Sequence, residues 1–478
     1  MKKKKVLVVG AGPAGLTAAW ELADQGLEAV VLEQDPRQVG GLSRTMEWCG
    51  FRFDIGGHRF FSKNPAITQW WRDRLGEDFL RVRRQTRILY RDRFFDYPLK
   101  PWNALHGLGV WTSGACLASY CWRQLHPLRP ETSFQTWVAN RFGDRLYRIF
   151  FKTYTEKVWG MPCDAISADW ASQRIQGLSL GQALRNAFGG GGTAKTLIDE
   201  FDYPCRGAGQ MWEKTRDEIQ AKGGRVLLGH TVMRFERKDQ GVLAAWTRTA
   251  AGTVERHAAD EFIVSMPLRD CIASLDGPVG EPARAAAKQL KYRAFILVVL
   301  VVQRAHLFPD NWIYVHSPQL RVGRLQNLNN WSAAMVGAAG VTELALEYFC
   351  GEGDDLWQKN DGQLFALARL EIQQLGFARA DEIADGCVAR VPNAYPVYDA
   401  SYRANVGVIK NALAQIDNLQ VVGRAGMHKY NNQDHSMQTG KLAAENILVG
   451  NRRYDLWRVN TDAEYQEDGQ RETGRDEA

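Results

Sequence analysis

The chain has 478 residues, 45% of them hydrophobic and 24% charged, with a formal net charge of +6. That length is too great for one simple core, and the composition is globular, so two or three domains are expected and a disordered or fibrous chain is excluded. No apolar run reaches the roughly 18 residues needed to span a bilayer, no nucleic-acid-binding module is recognisable, and eight scattered cysteines without CxxC spacing suggest neither a zinc site nor a redox dithiol.

The chain opens on KKKKVLVVGAGPAGLTAAWELADQGLEAVVLEQ after its first Met. The lysines before an apolar run imitate a secretory signal, but the run is better read as a strand and helix. Residues 6–9 are β-branched and apolar, the mark of a buried parallel strand. Gly10, Gly12 and Gly15 follow at G-x-G-x-x-G spacing, with Pro13 and Ala14 between them. Residues 16–25 have helical periodicity and stop at Gly26. Residues 29–32 form a second apolar strand that ends on Glu33 and Gln34. The three glycines do different things. Gly10 turns the chain, Gly12 admits a pyrophosphate to the backbone, and Gly15 lets helix and strand pack closely. The helix N-terminus offers N–H groups to that pyrophosphate, and Glu33 can accept from a ribose diol. The unit is a dinucleotide-binding βαβ motif.

The chain continues DPRQVGGLSRT, giving a second glycine pair at Gly40 and Gly41, then Leu42, Ser43 and Arg44. A second pair just after the acid resembles FAD enzymes of the glutathione-reductase-like superfamily, which implies FAD rather than a nicotinamide. Residues 54–60 read DIGGHRF, where Gly57 before His58 lets backbone pass close to a flat ring. Residues 79–99 suggest two short antiparallel strands with a turn near Asp92. Residues 101–186 look largely helical. Within them, 102–122 is aromatic and apolar, too short to span, and reads as a buried helix, with placement at a bilayer surface as the alternative. Four glycines at 189–192 suggest a connector.

Strands return over 224–265, where the resemblance places Val232 against adenine. Residues 291–303 hold a near-continuous β run, and with 312–315 and 344–349 they suggest a second, mixed sheet beneath the substrate. Residues 419–423 form another buried strand, 439–448 a helix, and the charged tail from 462 is expected to be disordered. The fold class is therefore α/β: a glutathione-reductase-like Rossmann FAD domain with inserted helical and mixed-sheet substrate domains. The FAD domain is discontinuous (1–78, 205–270 and 395–455), with a helical cap over 79–204 and a mixed-sheet domain over 271–394.

Three stretches narrow the resemblance: DIGGHRF, YTEKVWGMP at 154–162, and GRAGMHKYNNQDHSMQTG from Gly423. Together they resemble UDP-galactopyranose mutase and its relatives, whose N- and C-terminal segments are shared with protoporphyrinogen-oxidase-like and other amine-oxidase-like flavoproteins. The resemblance implies catalysis through reduced FAD: the flavin attacks the anomeric carbon of an activated sugar, displaces the diphosphate, and lets the ring re-close at another size without net redox. It places His58 beside the flavin and Arg174 on the diphosphate, where a guanidinium fork gives bidentate, charge-assisted bonds. Tyr395 and Tyr398 join the catalytic set, and Tyr154, Trp159 and Tyr430 the substrate set. Gly423, Arg424 and Asp434 fall to the cofactor. Met437 and Gln438, at the start of the last helix, would aim N–H groups at the flavin.

One stretch departs from the mutase pattern. Tyr203, Pro204 and the RGAG run at 206–209 look more like oxidase-like members, which leaves uridine unassigned and keeps a true FAD oxidoreductase (oxidase, desaturase or sugar dehydrogenase) as the alternative. The expected partner is an anionic small molecule, without nucleic acid, in a cytoplasmic enzyme, with the inner membrane face as the alternative location.

Overall fold

The computed structural model describes residues 4–97, 99, 101–175, 200–277 and 279–460. The 189–192 connector and the tail from 462 lie outside the described residues.

Strand Lys5–Val9 sits at the centre of a five-stranded sheet. On one side it pairs in parallel with Glu28–Leu32, and that strand with Arg225–Leu227. On the other it pairs in parallel with Glu261–Val264, which pairs with Leu419–Val421. Val6, Leu7 and Val8 are fully buried because the sheet is covered on both faces, as a run of apolar residues without alternation requires. Helix Pro13–Asp24 packs against helices Gln433–Val449 and Gly209–Ala221. It begins three residues before the expected start, because Pro13 has the fixed φ that suits a first helical turn. An antiparallel sheet of His230–Lys238, Gly241–Thr249 and Val254–Ala258 adds Phe235 and Ala245 to the same core.

A seven-stranded sheet forms the second layer. Its order is Ile383–Pro396, Tyr292–Val302, Thr342–Cys350, Arg324–Asn327, Trp312–Val315, Thr86–Tyr90 and Arg93–Asp96. All pairs are antiparallel except Trp312–Val315 with Thr86–Tyr90. The alternation of a strand divides Tyr292–Val302 cleanly. Ile296, Val298 and Leu300 face a core closed by Leu364, Ala368 and Ile372 of helix Asp361–Gln374. Phe295, Leu297 and Val299 face the opposite core, with Tyr395 and Trp159.

The expected helical cap over 79–204 is narrower than its sequence suggests. Thr86–Tyr90 and Arg93–Asp96 are the last two strands at one side of the mixed sheet, and Phe79–Arg83 pairs with Glu200–Pro204. The partners lie far along the chain, so local pattern cannot assign them to a unit. The helices between run from Pro101–Leu108 through Val110–Leu125 and Phe134–Phe142 to Thr153–Trp159 and Ala168–Ile175.

Strand Thr342–Cys350 carries Glu343, fully buried, with neither carboxylate oxygen hydrogen-bonded. Burial pushes its pKa up to about 9 from an ordinary 4.5. The unfolded chain releases this proton as pH passes 4.5, whereas the folded chain keeps it until about pH 9, so stability falls as pH rises through that window. Three pH units at about 1.4 kcal/mol each set an upper bound of roughly 4 kcal/mol at pH 7.5. Glu343→Gln is therefore expected to raise the melting temperature at pH 7.5 and to change it little at pH 5. Equal shifts at both pH values would show that Glu343 is charged in the folded protein.

Candidate active site

Three backbone segments converge at the carboxyl end of the parallel sheet. In the first, Gly10 has φ +95° and Gly12 precedes the helix as its cap. In the second, Gly40 (φ +103°) and Gly41 (φ +55°) lead into Leu42 and Ser43. The Gly40 N–H donates to the Ala11 carbonyl at 2.8 Å, and a Cβ on Gly41 would stand 3.1 Å from the Gly12 Cα. In the third, Gly423 (φ +77°) donates its N–H to Thr439 Oγ1 at 3.0 Å, and a Cβ there would stand 3.0 Å from that of Ala14. Only residues without side chains let these strands of backbone approach so closely.

Glu33 ties the first two segments together. Its Oε2 accepts from the Ala11 N–H at 2.7 Å and its Oε1 from the Asp35 N–H at 2.9 Å. Burial raises its pKa, opposed by those two N–H groups. Arg44 donates to the Gly41 carbonyl at 3.0 Å.

One cavity of about 1110 Å³ joins these loops to an aromatic chamber. Its nucleotide end is lined by Gly12, Pro13, Ala14, Glu33, Gln34, Gly41, Ser43, Arg44 and Val232. The volume exceeds that of an ordinary small-ligand pocket, and a bare backbone cradle sits at one end. Both features fit a flavin dinucleotide with room for a substrate.

Between the two ends lies the Gly56–Gly57–His58 turn. Gly56 has φ +107°. The His58 ring nitrogen Nε2 lies 3.0 Å from the Ile55 carbonyl. Burial pulls its pKa down to about 4, so the ring is neutral at physiological pH. Asp54 anchors the turn from behind, accepting from Tyr203 Oη at 2.7 Å and Thr45 Oγ1 at 2.5 Å. Tyr203 thus supports the turn without lining the cavity.

In the chamber, Tyr395 and Tyr430 stack at 5.6 Å, and the Arg424 guanidinium lies 4.6 Å from the Tyr430 ring centre. Arg424 also donates from Nε to the Asn431 carbonyl at 2.8 Å. Tyr154 stacks on His316 at 5.0 Å, and Trp159 meets Trp170 edge-on at 4.7 Å. Burial raises the pKa of Tyr154 and Tyr395 and lowers that of His316 to about 3, so these hydroxyls and this imidazole stay uncharged.

Arg324 lines the chamber too. Its Nε meets Glu347 Oε1 at 2.9 Å and its Nη2 meets Oε2 at 2.5 Å, a bidentate pair. Gln326 adds a third bond to Glu347. Burial opposes the charge on Arg324, and Glu347 more than restores it. The chamber therefore offers guanidinium groups, aromatic faces and neutral hydroxyls. Among the described residues, the acids lining the cavity are Glu33, Asp35 and Asp270.

Several expected roles move. Tyr398 does not line the cavity; its hydroxyl accepts from the Tyr430 N–H at 2.8 Å, and its ring stacks on Tyr402 at 4.4 Å. It supports Tyr430 from behind. The last helix is Gln433–Val449, capped by Asn432, six residues ahead of its expected start. Its free N–H groups belong to the first residues after Asn432, and Gln433 and Ser436 line the cavity. Met437 instead turns into the core, where its sulfur accepts from Trp71 Nε1 at 3.1 Å, and Gln438 accepts from Asn64. Asp434 is buried in that first turn, outside the cavity lining. Gly15 is likewise buried inside the helix. Arg174 is on helix Ala168–Ile175, and its side chain lies outside the described residues. Lys157, within YTEKVWG, does not line the cavity: its Nζ is held by the carbonyls of Val315, Ser317 and Val322 at 2.7 to 3.1 Å.

Sequence reasoning missed Arg324, Arg59 and His316. Nothing local marks Arg324, because Glu347 belongs to a neighbouring strand that only pairing brings alongside.

A family model described as flavin containing amine oxidoreductase matches residues 13–448. The chain is similar to the crystal structure of a reduced UDP-galactopyranose mutase, with TM-score 0.81 and 21% identity over 96% of this chain and 99% of that one. It is also similar to a protein of Exiguobacterium sp. 255-15 described as a protoporphyrinogen oxidase, with TM-score 0.71 and 17% identity over 94% of this chain and all of the other. At such identities these likenesses show the fold. Among curated proteins, the inactive all-trans-retinol 13,14-reductase of Danio rerio is 53% identical over 51 residues, which are 11% of this chain and 8% of that protein.

Proposed function

The chain belongs to the flavin containing amine oxidoreductase family and is an FAD enzyme; from that premise, we propose that it rearranges an activated sugar, linked to a lipid phosphate or a nucleotide, without net redox. The carrying observation is the chamber that joins the dinucleotide cradle: Arg324 and Arg424 among stacked aromatic rings, while of the acids among the described residues lining the cavity Glu33 and Asp35 belong to the nucleotide end and Asp270 is paired with Arg269. Such walls favour an anionic head and a sugar face, and they disfavour the cationic substrate of an amine oxidase. The same cavity is lined by Ile88, Leu99, Phe142, Leu146 and Phe150, an apolar arm that suits the lipid-linked form.

Bound and reduced, FAD would supply an electron pair to the anomeric carbon and recover it at the end of turnover. The residues of the chain do the rest. Arg324 and Arg424 hold the departing phosphate, which lowers the barrier to its departure and keeps it near for return. Tyr154 and Tyr395 are neutral donors for sugar hydroxyls. The aromatic walls exclude water that would hydrolyse the activated sugar.

The second reading, oxidation with net electron transfer, is favoured by the family to which the chain belongs. Anaerobic incubation with polyprenyl-phosphate-linked and nucleotide-linked sugars, with oxidised and then dithionite-reduced FAD, separates the two. An isomer of unchanged mass, formed only with reduced flavin, is expected. A product lighter by two hydrogens, with a bleached flavin band, would replace this reading by the second.

A further inference from the structure

The helix Val110–Leu125 faces the wrong way for a helix in contact with water. Trp111, Gly114, Leu117, Ala118, Cys121, Trp122 and Leu125 recur at helical spacing and form its exposed face. Trp111 is 93% exposed, Leu125 76% and Trp122 57%. The helix's half-buried polar residues Thr112, Ser113, Ser119 and Arg123 turn inward, and Gln124 alone of the polar side chains there is exposed. Arg123 pairs with Asp144 at 2.7 Å, and Ser119 Oγ accepts from the Arg145 N–H at 3.3 Å. The preceding helix, Pro101–Leu108, adds Trp102, 62% exposed. The buried helix expected from the sequence is thus instead an exposed apolar surface.

We propose that this helix pair docks in the plane of an anionic phospholipid bilayer. Three observations select that partner. First, neither helix carries an acidic residue, and exposed arginines adjoin them: Arg93 donates to the Gly107 carbonyl and Arg129 follows the second helix, while the nearby acid Glu131 is already paired with Arg141. Tryptophan beside arginine is the composition that settles at headgroup depth, and the cations are complementary to anionic lipid. Second, no described helix is long and apolar enough to cross a membrane, which restricts the proposed contact to the bilayer surface. Third, Leu99 and Ala104, at the base of the same pair, line the catalytic cavity, so its apolar arm reaches beneath the docked face. The surface stands on exposure and charge and does not depend on the chemistry proposed above.

The test uses the full flavin-loaded protein and its Trp111→Ser/Trp122→Ser/Leu125→Ser variant, first compared by melting temperature and flavin content. Both are sedimented with vesicles of phosphatidylcholine alone and of phosphatidylcholine with phosphatidylglycerol. Wild type is expected to bind the anionic vesicles, less at high salt, and the variant at least about tenfold more weakly with its flavin intact. Absence of binding to either vesicle, or equal binding by the variant, would overturn the proposal. So would a dimer in light scattering that disappears in the variant while vesicles are ignored, because the face would then belong to a second copy of the chain.

Discussion

Gly15→Ala is expected to give a folded protein that retains almost no flavin. A Cβ at this position would stand 2.0 Å from the Gly10 carbonyl oxygen and 3.2 Å from Val8 Cγ1. Neither neighbour is a flexible side-chain end. Gly10 is held in its turn by an N–H bond to the Leu32 carbonyl at 2.8 Å, and Val8 is at the centre of the parallel sheet. The helix must move away from the strand, and overpacking of this kind costs about 1–3 kcal/mol. The displaced element is also the one whose first turn faces the dinucleotide, so the loss falls on the cradle. The measurement is the ratio of flavin to protein absorbance after gel filtration. Gly252→Ala is the control. Its φ is positive, +86°, and its Cβ would meet nothing within 4 Å. It is expected to lose a little stability and keep its flavin. Full flavin content in Gly15→Ala would mean that the helix can shift without disturbing the cofactor.

Arg324→Leu is expected to destabilise the protein by about 3–5 kcal/mol and to abolish turnover, because it leaves the fully buried Glu347 without its bidentate partner. The two losses separate in a double variant. Arg324→Leu with Glu347→Leu removes both charges, so most of the stability is expected to return while turnover does not. Arg324→Lys keeps a charge but loses the fork, and should fall between wild type and the leucine variant in both respects. Denaturant melts and kcat/KM, measured on all four proteins, decide the matter. An active double variant would exclude Arg324 from substrate binding. A single variant that melts like wild type would mean that Glu347 finds another partner.

The two cases differ in what the sequence can reveal. Gly10, Gly12, Gly15 and Glu33 are legible because their neighbours in space are neighbours in sequence: a strand, a turn and a helix within about thirty residues. The buried strands at Tyr292–Val302 and Leu419–Val421 are legible from β-branched runs. Arg324 is invisible, since its meaning depends on the pairing of Arg324–Asn327 with Thr342–Cys350. The strand Thr86–Tyr90 is recognised as a strand but assigned to the wrong unit, because its parallel partner is Trp312–Val315. The start of the last helix is missed for a local reason. Its first turns, QDHSMQ, lack apolar periodicity, and the local signal that marks the start is Asn432 as cap. Tyr398 resembles Tyr395 in a tyrosine-rich segment, and only three-dimensional placement shows which one meets the cavity.

The order of strands in the parallel sheet has a consequence for synthesis on the ribosome. Lys5–Val9 and Glu28–Leu32 emerge early and can pair at once, yet the other edge of Lys5–Val9 waits for Glu261–Val264. At roughly 5–20 residues per second, that apolar edge stays open for on the order of ten seconds or more. The last strand and the helix Gln433–Val449, whose start lines the cavity, come later still. Flavin capture is thus an event of the finished chain, and until then the nascent protein presents the kind of unpaired hydrophobic strand that chaperones bind.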